Sequence, residues 1–442
     1  MGMVADRLGL DARAGVAPAG PTGPVGLPRL LDGLDGHGGA VPLARHRAVY
    51  PAPPRPGRPL DGFVAAVERS GLRGRGGASF PTGTKLRAVR QGRRTPVVVV
   101  NGSEGEPASA KDKLLLTTAP HLVLDGALLA AAAVGADEVV VCVDVGAPAA
   151  LGAVERALLE RRAEPAATVR LAALPSRYVA GEETALVRWL DGGPAAPTGS
   201  RPFQRGVGGR PTLVDNVETL AHLAQVLRFG PEWFRQLGTA EQPGSALVTL
   251  SGAVAAPGVY EAGVGAALGE LVGAAGGAPD GVAAVLVGGY FGSWLGAGTA
   301  PLARLDNQSL RPLGAAMGCG AVVVLPDGAC GVAETARVLG WLAGESAGQC
   351  GPCVFGLGAL ARAAAELRDG RARPDTVEQL RRWAGQVEGR GACRLPDGAV
   401  RLLRSALDVF ADDVQWHLHR GPCAGAGRPS ALPAPRGGQP WR

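Results

Sequence analysis

Residues 70–112 read SGLRGRGGASFPTGTKLRAVRQGRRTPVVVVNGSEGEPASAKD, two loops flanking one apolar run. Val97–Val100, four β-branched residues closed by Asn101-Gly102, predict a buried parallel strand. Ligands of open α/β sheets sit at the carboxyl ends of such strands. The loop before the strand holds Gly71, Gly74, Gly76, Gly77 and Gly83 with Arg73, Arg75 and Lys85. The loop after it presents Asn101, Ser103, Glu104 and Glu106. Glycines let backbone N–H groups approach a phosphate, and a lysine adds a point charge. Carboxylates suit ribose hydroxyls or a carboxamide instead. The two loops point to one crevice for a phosphorylated cofactor and a nucleotide.

With 69 glycines in 442 residues, glycine alone says little; lysine says more. The chain has three lysines, Lys85, Lys111 and Lys113, all in or next to this stretch, and arginine carries the positive charge elsewhere. The first loop is not the dinucleotide fingerprint. GRGGAS departs from G-x-G-x-x-G at its last position and follows a helical pattern, Leu60–Arg69, where the fingerprint follows a strand.

The length suits about two to four domains with a sizeable core. The net charge of +6 is spread as single arginines without interleaved aromatics, so nucleic-acid binding is not expected. Seven cysteines in a large chain without a signal-peptide pattern point to a reducing cytoplasm. The most apolar region, Leu122–Val145, is broken by Asp125, Asp137, Glu138 and Asp144, and no membrane span is expected.

Along the chain, residues 1–59 read as a disordered or draped segment, with a short helix at Arg29–Leu34 and a proline-rich linker at Ala52–Arg58. An α/β domain follows over 60–240. It has a helix at Pro120–Ala133, strands at Glu138–Val143 and Thr168–Leu171, and a helix at Ala150–Arg161. Glu182 and Glu183 open a helix; both are nucleotide candidates, and both also suit a first helical turn. Gly192–Pro211 is a loop carrying Arg201 and Phe203, and Asp215-Asn216 caps the helix after it. Residues 241–318 form a small α+β module. Residues 319–421 open with a strand, Gly320–Leu325, and become a helical bundle with helices at Val332–Ala343, Gly358–Arg368, Thr376–Val387 and Ala399–His417. The tail, 422–442, reads as disordered. Cys350 and Cys353 are spaced C-x-x-C at a helix entry, and Cys393 lies on a loop between two helices. Three thiolates at one end of a bundle read as a metal site, although zinc and a [4Fe–4S] cluster each take four ligands. A redox pair and unrelated buried thiols are the other readings.

Five ordered motifs carry a resemblance across residues 60–420: Ser70–Leu86, Asn101–Lys113, Tyr178–Leu186, Gly209–Leu220 and Glu345–Gly356, with Cys393 after them. The chain resembles the NADH-binding flavoprotein subunits of the NADH-quinone oxidoreductase (complex I) family. The resemblance implies an α/β fold with a Rossmann-like FMN domain, a ubiquitin-like module of the SLBB type and a helical iron–sulfur domain. It implies FMN, NAD(H) and a [4Fe–4S] cluster as cofactors. Gly74, Gly76, Lys85, Asn101, Asp215 and Asn216 fall where the family holds FMN. Glu104, Glu106, Phe80, Glu183 and Phe203 fall where it holds NADH, while Cys350, Cys353 and Cys393 fall at cluster ligands. The implied acceptor is a [2Fe–2S] subunit, a ferredoxin or a membrane-associated reductase, which would bring the chain to the inner face of a membrane.

Three departures stand out. Ser103 replaces the family's aspartate and Asp215 the first asparagine of its VNNVET motif. Ala347 replaces the first cluster cysteine, with Glu345, Ser346 and Cys330 the nearest alternative donors in sequence. Were residues 347–350 helical, Ala347 and Cys350 would share a face. The leading expectation is an FMN-dependent NADH oxidoreductase subunit with no catalytic acid, base or nucleophile of its own. The alternatives are a diverged flavin-binding or assembly protein that has lost the cluster, and a zinc-stabilised nucleotide-binding module.

Overall fold

The computed structural model describes residues 27–34, 39–53, 60–164 and 167–433. The expected disordered segment 1–26, most of the proline-rich linker (54–58) and the last part of the tail (434–442) lie outside them.

The predicted valine run is β1 (Val97–Gly102). It pairs in parallel with β2 (Glu138–Asp144), and β2 pairs with β3 (Thr168–Leu174). On its other side β1 pairs in parallel with β4 (Thr212–Asn216), giving the order β3-β2-β1-β4. The β4 strand was not expected: its few apolar residues sit inside a loop-and-cap pattern, and only pairing with β1 makes it a strand. This register sets Asn101 opposite Asn216 at the carboxyl edge of the sheet.

Helices α1 (Leu43–Val49), α2 (Asp61–Ser70), α3 (Thr82–Arg90), α4 (Lys111–Thr118), α5 (Pro120–Val134), α6 (Pro148–Glu160), α7 (Glu183–Leu190) and α8 (Val217–Phe229) surround this sheet. Helix α5 is buried on every face, as a core helix of all-round apolar pattern must be. A Cβ on its Gly126 would lie 1.8 Å from the Leu220 carbonyl of α8, so glycine sets how closely these helices pack. The one carboxylate inside α5, Asp125, is held by His46 and Arg47 of α1 and by Arg161, each at 2.7 Å. That hub docks the N-terminal segment. No helix forms at Arg29–Leu34; the backbone N–H groups of Arg29, Leu30 and Leu31 all donate to Glu261 Oε2 instead.

After the one-turn helix α9 (Pro231–Phe234), a second sheet contains β5 (Ser245–Gly252), β6 (Gly258–Gly263), β7 (Ala284–Val287), β8 (Ser293–Gly296) and β9 (Ala321–Leu325). Helices α10 (Leu268–Ala274) and α11 (Asn307–Leu310) lie in its connections. The strand order is β6-β5-β9-β7-β8, with β5 and β9 parallel and the other pairs antiparallel. Strand β9 was expected to open the helical domain. It is the centre of this sheet, so the module extends past residue 318.

Five helices close the described chain: α12 (Gly331–Gly344), α13 (Gly358–Arg368), α14 (Thr376–Val387), α15 (Leu395–Val409) and α16 (Ala411–Arg420). The single helix expected at Ala399–His417 is two, broken at Phe410. Residues 422–433, expected to be disordered, pack on the bundle: Leu432 is buried, and Ser430 donates to Glu334 on α12. Among the described residues no single helix is long and apolar enough to cross a membrane; α4 and α5 pass such a test only together, across a 97° bend.

Candidate functional site

The carboxyl edge of β1 and β4 gathers the candidate flavin residues. Lys85, on α3, donates to the Val214 carbonyl of β4 and to Glu183 Oε1, both at 2.5 Å. Burial lowers the affinity of its ammonium for a proton, but Asp215 and Glu183 outweigh burial and hold its pKa above the ordinary value. Burial pushes Asp215 up to about 6 against the pull of Lys85. Asn101 donates to the Gly181 carbonyl at 2.7 Å and so ties the loop before α7 to the end of β1. That approach is close: a Cβ on Gly181 would lie 3.0 Å from the Ser103 carbonyl oxygen. On the other side, a Cβ on Gly76 would come within 3.3 Å of Asn216 Cβ. The N–H of Gly74 closes the first loop on the Phe80 carbonyl at 2.8 Å. Ser79 in that loop has φ +51°, a left-handed conformation that costs a serine energy.

Two buried oxygens at this edge, Asp215 Oδ2 and Ser103 Oγ, have no hydrogen-bond partner among the described residues. Buried polar atoms are rarely left so. With Lys85 and the close-packed glycines they fit a polar, phosphorylated cofactor such as FMN.

The acidic loop has a different part from the one its sequence suggested. Glu104 accepts from Ser109 Oγ at 2.5 Å and from the N–H groups of Asp112 and Lys113. Glu106 accepts from the N–H groups of Ala108 and Tyr290 and from the Tyr178 hydroxyl. Glu182 caps α7 through the N–H groups of Thr184 and Ala185. All three carboxylates are engaged by the protein itself. Glu183 is engaged too, by Lys85, but 45% of its side chain stays exposed. Two of the three lysines are also structural: Lys111 is buried against Asp112 and Glu218, at 2.8 and 2.9 Å, and Lys113 donates to the Glu104 carbonyl. Phe80 and Phe203 are large apolar side chains that remain exposed, as a stacking role requires.

The cysteine loop docks on this site. Glu345 accepts from Arg177 Nη1 at 3.0 Å and from the Tyr178 N–H at 2.8 Å. Gln349 accepts from Arg188 and donates to the Pro197 carbonyl. Cys353 is pushed up to about 12, first by burial and then by the neighbouring Cys350 and Cys393, while the Ser346 hydroxyl at its thiol opposes the shift. Cys393 also feels Glu182. Cys350 and Cys393 thus both act on Cys353, and Glu182, at the start of α7, acts on Cys393. Residues 345–350 are turn and irregular chain, so the helical face expected for Ala347 and Cys350 does not exist. Of the alternative fourth donors, Glu345 is taken by Arg177 and Tyr178, and Cys330 lies at the other end of α12. The Ser346 hydroxyl accepts the Gly348 N–H and lies at the Cys353 thiol.

Comparison with known proteins agrees. A family model described as the Nuo51 FMN-binding domain matches residues 67–225, and the NADH-ubiquinone oxidoreductase-F iron–sulfur binding region matches 333–417. The F 2 subunit of the NADH-quinone oxidoreductase of Rhizobium meliloti is 33% identical over 382 residues, 82% of this chain and 90% of that protein. The chain belongs to the family of NADH-quinone oxidoreductase F subunits. The F subunit of Mycobacterium tuberculosis (strain H37Rv) is 32% identical over 402 residues, 85% of this chain and 89% of that one. Two structures of an NAD+-reducing [NiFe]-hydrogenase are also similar. The air-oxidised state superposes with TM-score 0.79 at 30% identity, over 94% of this chain and 72% of the other. The H2-reduced state gives 0.76 at 33% identity over 81% of this chain, which spans 63% of that one.

The first family match encloses Lys85, Asn101, Glu183, Asp215 and Asn216, and the second encloses Cys350, Cys353 and Cys393. Sequence reasoning missed the strap from Arg177 and Tyr178 to Glu345. No local pattern marks it, since its two ends lie far apart in the chain. It also missed a cluster of Cys330, His417 and Cys423, whose ligand atoms lie within 4.8 Å of one another. The one sequence hint was a histidine and a cysteine six residues apart at the end of the bundle.

Proposed function

We propose that this chain oxidises NADH with FMN and delivers the electrons through an iron–sulfur centre to a partner protein. The observation that carries this reading is the docking of the Cys350–Cys353 loop, through Glu345 and Gln349, on the loops beside the flavin candidates. FMN, when bound, supplies the chemistry: it accepts a hydride from the nicotinamide and releases electrons singly.

The residues bind and orient. Lys85 places a positive charge for the phosphate, Gly74 and Gly76 let the backbone approach, and Asp215, Asn101 and Asn216 line the polar edge. Glu183 is the carboxylate with an exposed face for the nucleotide, and Phe80 and Phe203 offer ring faces. Glu104, Glu106 and Glu182 act at one remove, by shaping the loops. Cys350, Cys353 and Cys393 hold the cluster. Ala347 stands where the family motif has its first cysteine, and the Ser346 hydroxyl is the oxygen donor at hand. Three thiolates are one short of the usual set, which supports a labile centre.

The five-stranded sheet with α10 is the ubiquitin-like module. Val354 and Phe355, 51% and 75% exposed beside Cys353, offer an apolar contact for an acceptor such as a [2Fe–2S] subunit, a ferredoxin or a membrane-associated reductase. Placement in the cytoplasm, at the membrane face through that partner, belongs to the same proposal.

Ala347 favours a second reading, a diverged flavin-binding protein without the electron path. The test is direct. Protein reconstituted with FMN and, anaerobically, with iron and sulfide is mixed with NADH. Bleaching of the flavin bands and turnover with ferricyanide are expected. Flavin that stays oxidised in excess NADH establishes the second reading.

A further inference from the structure

The cluster of Cys330, His417 and Cys423 is used by nothing above. Cys330 and His417 are buried, and their ligand atoms, Sγ and Nε2, are 3.4 Å apart. Cys423 completes a set in which every ligand atom is within 4.8 Å of the others. We propose that these three residues hold a structural divalent ion of the zinc class, which fastens the C-terminal segment to the start of α12.

Four observations support this. First, His417 Nδ1 lies 3.1 and 3.0 Å from the carbonyl oxygens of Leu367 and Arg368. A carbonyl cannot donate, so Nδ1 carries the proton and the Nε2 lone pair faces the thiols. Metal-binding histidines are oriented in this way by a partner on the far nitrogen.

Second, Cys330 caps α12, and its sulfur accepts the Ala333 N–H at 3.3 Å. That bond holds the sulfur at the start of α12, 3.4 Å from His417 Nε2. Third, tetrahedral Zn–S and Zn–N bonds of about 2.3 and 2.0 Å put a sulfur and a nitrogen ligand roughly 3.5 Å apart, close to the 3.4 Å between Cys330 Sγ and His417 Nε2. Two thiolates also neutralise a divalent ion, so the loaded site buries no net charge. Fourth, a four-coordinate ion has one position left. Asp413 lies one turn before His417 on α16, and its charge acts on both His417 and Cys330. A solvent molecule fills that position, since the group of ligand atoms within 4.8 Å of one another is Cys330, His417 and Cys423 without Asp413. Without an ion, Nε2 is met by the Cys330 thiol and the Cys423 N–H at 3.3 Å.

The site is separate from Cys350, Cys353 and Cys393. Cys330 precedes α12 and those thiols follow it, so the 14 residues of α12 place the two sites roughly 20 Å apart, at opposite ends of the helix. The ion would join α12, α16 and the segment after it, and so brace the helix that leads into the cysteine loop.

The test uses the full chain carrying Cys350→Ser and Cys353→Ser, which removes the other thiol site. Metal-free, reduced protein is titrated with Co2+ and, separately, its zinc content is measured by mass spectrometry after purification. One equivalent of zinc, and a Co2+ spectrum with tetrahedral d–d bands and thiolate charge transfer, are expected. Adding Cys330→Ser or His417→Gln should weaken Co2+ binding at least 100-fold, with flavin retention as the check on folding. The proposal is overturned if the parent binds neither metal. It is overturned equally if the added substitutions leave binding unchanged, or if anaerobically purified protein carries a Cys330–Cys423 disulfide by peptide mapping. None of these outcomes bears on NADH oxidation, which is read at the flavin.

Discussion

At Glu106 burial and hydrogen bonding pull the carboxyl in opposite directions. It is 8% exposed, and burial pushes it from 4.5 up to about 7, against the donors Ala108, Tyr290 and Tyr178. A carboxyl with a raised folded pKa binds its proton more tightly in the native state. Its contribution is therefore fully present below about pH 4.5 and is lost as pH rises through 7. Between pH 5 and pH 8 that loss amounts to about 2–3 kcal/mol, at about 1.4 kcal/mol per pKa unit.

Glu106→Gln removes the titration and keeps two hydrogen-bonding atoms. One of them is now a donor facing the Ala108 N–H or the Tyr178–Tyr290 pair, at a constant cost of about 1–3 kcal/mol. Urea unfolding of both proteins from pH 5 to pH 8 isolates the effect, because every other titrating group cancels in the difference. The variant should be the less stable at pH 5, and the gap should close by about 2–3 kcal/mol by pH 8. A gap constant across this range would refute the reasoning. It would mean that the three donors hold the carboxylate ionised and outweigh burial.

Lys85→Ala should weaken FMN binding by about tenfold to a hundredfold, the scale of a lost hydrogen bond to a charged group, as followed by quenching of flavin fluorescence; unchanged affinity would put the phosphate elsewhere. Ala347→Cys should raise the iron content after anaerobic reconstitution and slow bleaching of the cluster in air; equal iron in both proteins would show that the fourth position is already filled. Asp125→Asn should cost about 3–5 kcal/mol in urea unfolding, because it removes the buried carboxylate that His46, Arg47 and Arg161 share and leaves the two arginines only the more exposed Glu164. Burial opposes ionisation of Asp125, yet His46, Arg47 and Arg161 bring it down to about 2. The wild type should accordingly lose this advantage as pH falls from about 4 toward 2.

Much of the architecture was readable before any coordinates, because it rests on local patterns. A run of β-branched residues ending in Asn-Gly makes a buried strand wherever it lies, so β1 and β2 could be placed. Helices with apolar residues at helical spacing could be placed as well, and the C-x-x-C spacing with a later cysteine pointed to the region that the iron–sulfur family model matches. Motif order led to the family. What a side chain faces was not readable, because that depends on which donors arrive from distant parts of the chain.

Glu104, Glu106 and Glu183 look alike in sequence. Two are turned inward by N–H and hydroxyl groups brought by α4, Tyr178 and Tyr290, while Glu183 keeps an open face beside Lys85. Lys111 and Lys85 look alike as well, yet one is buried between Asp112 and Glu218 and the other lies at the strand edge. Strand β4 exists because β1 offers it a free edge, and with it come the Asn101–Asn216 pairing and the unpartnered oxygen of Asp215. Cys330, His417 and Cys423 meet because α12, α13 and α16 pack together. Spacing along a chain carries no information about a contact that three helices make only after they have docked.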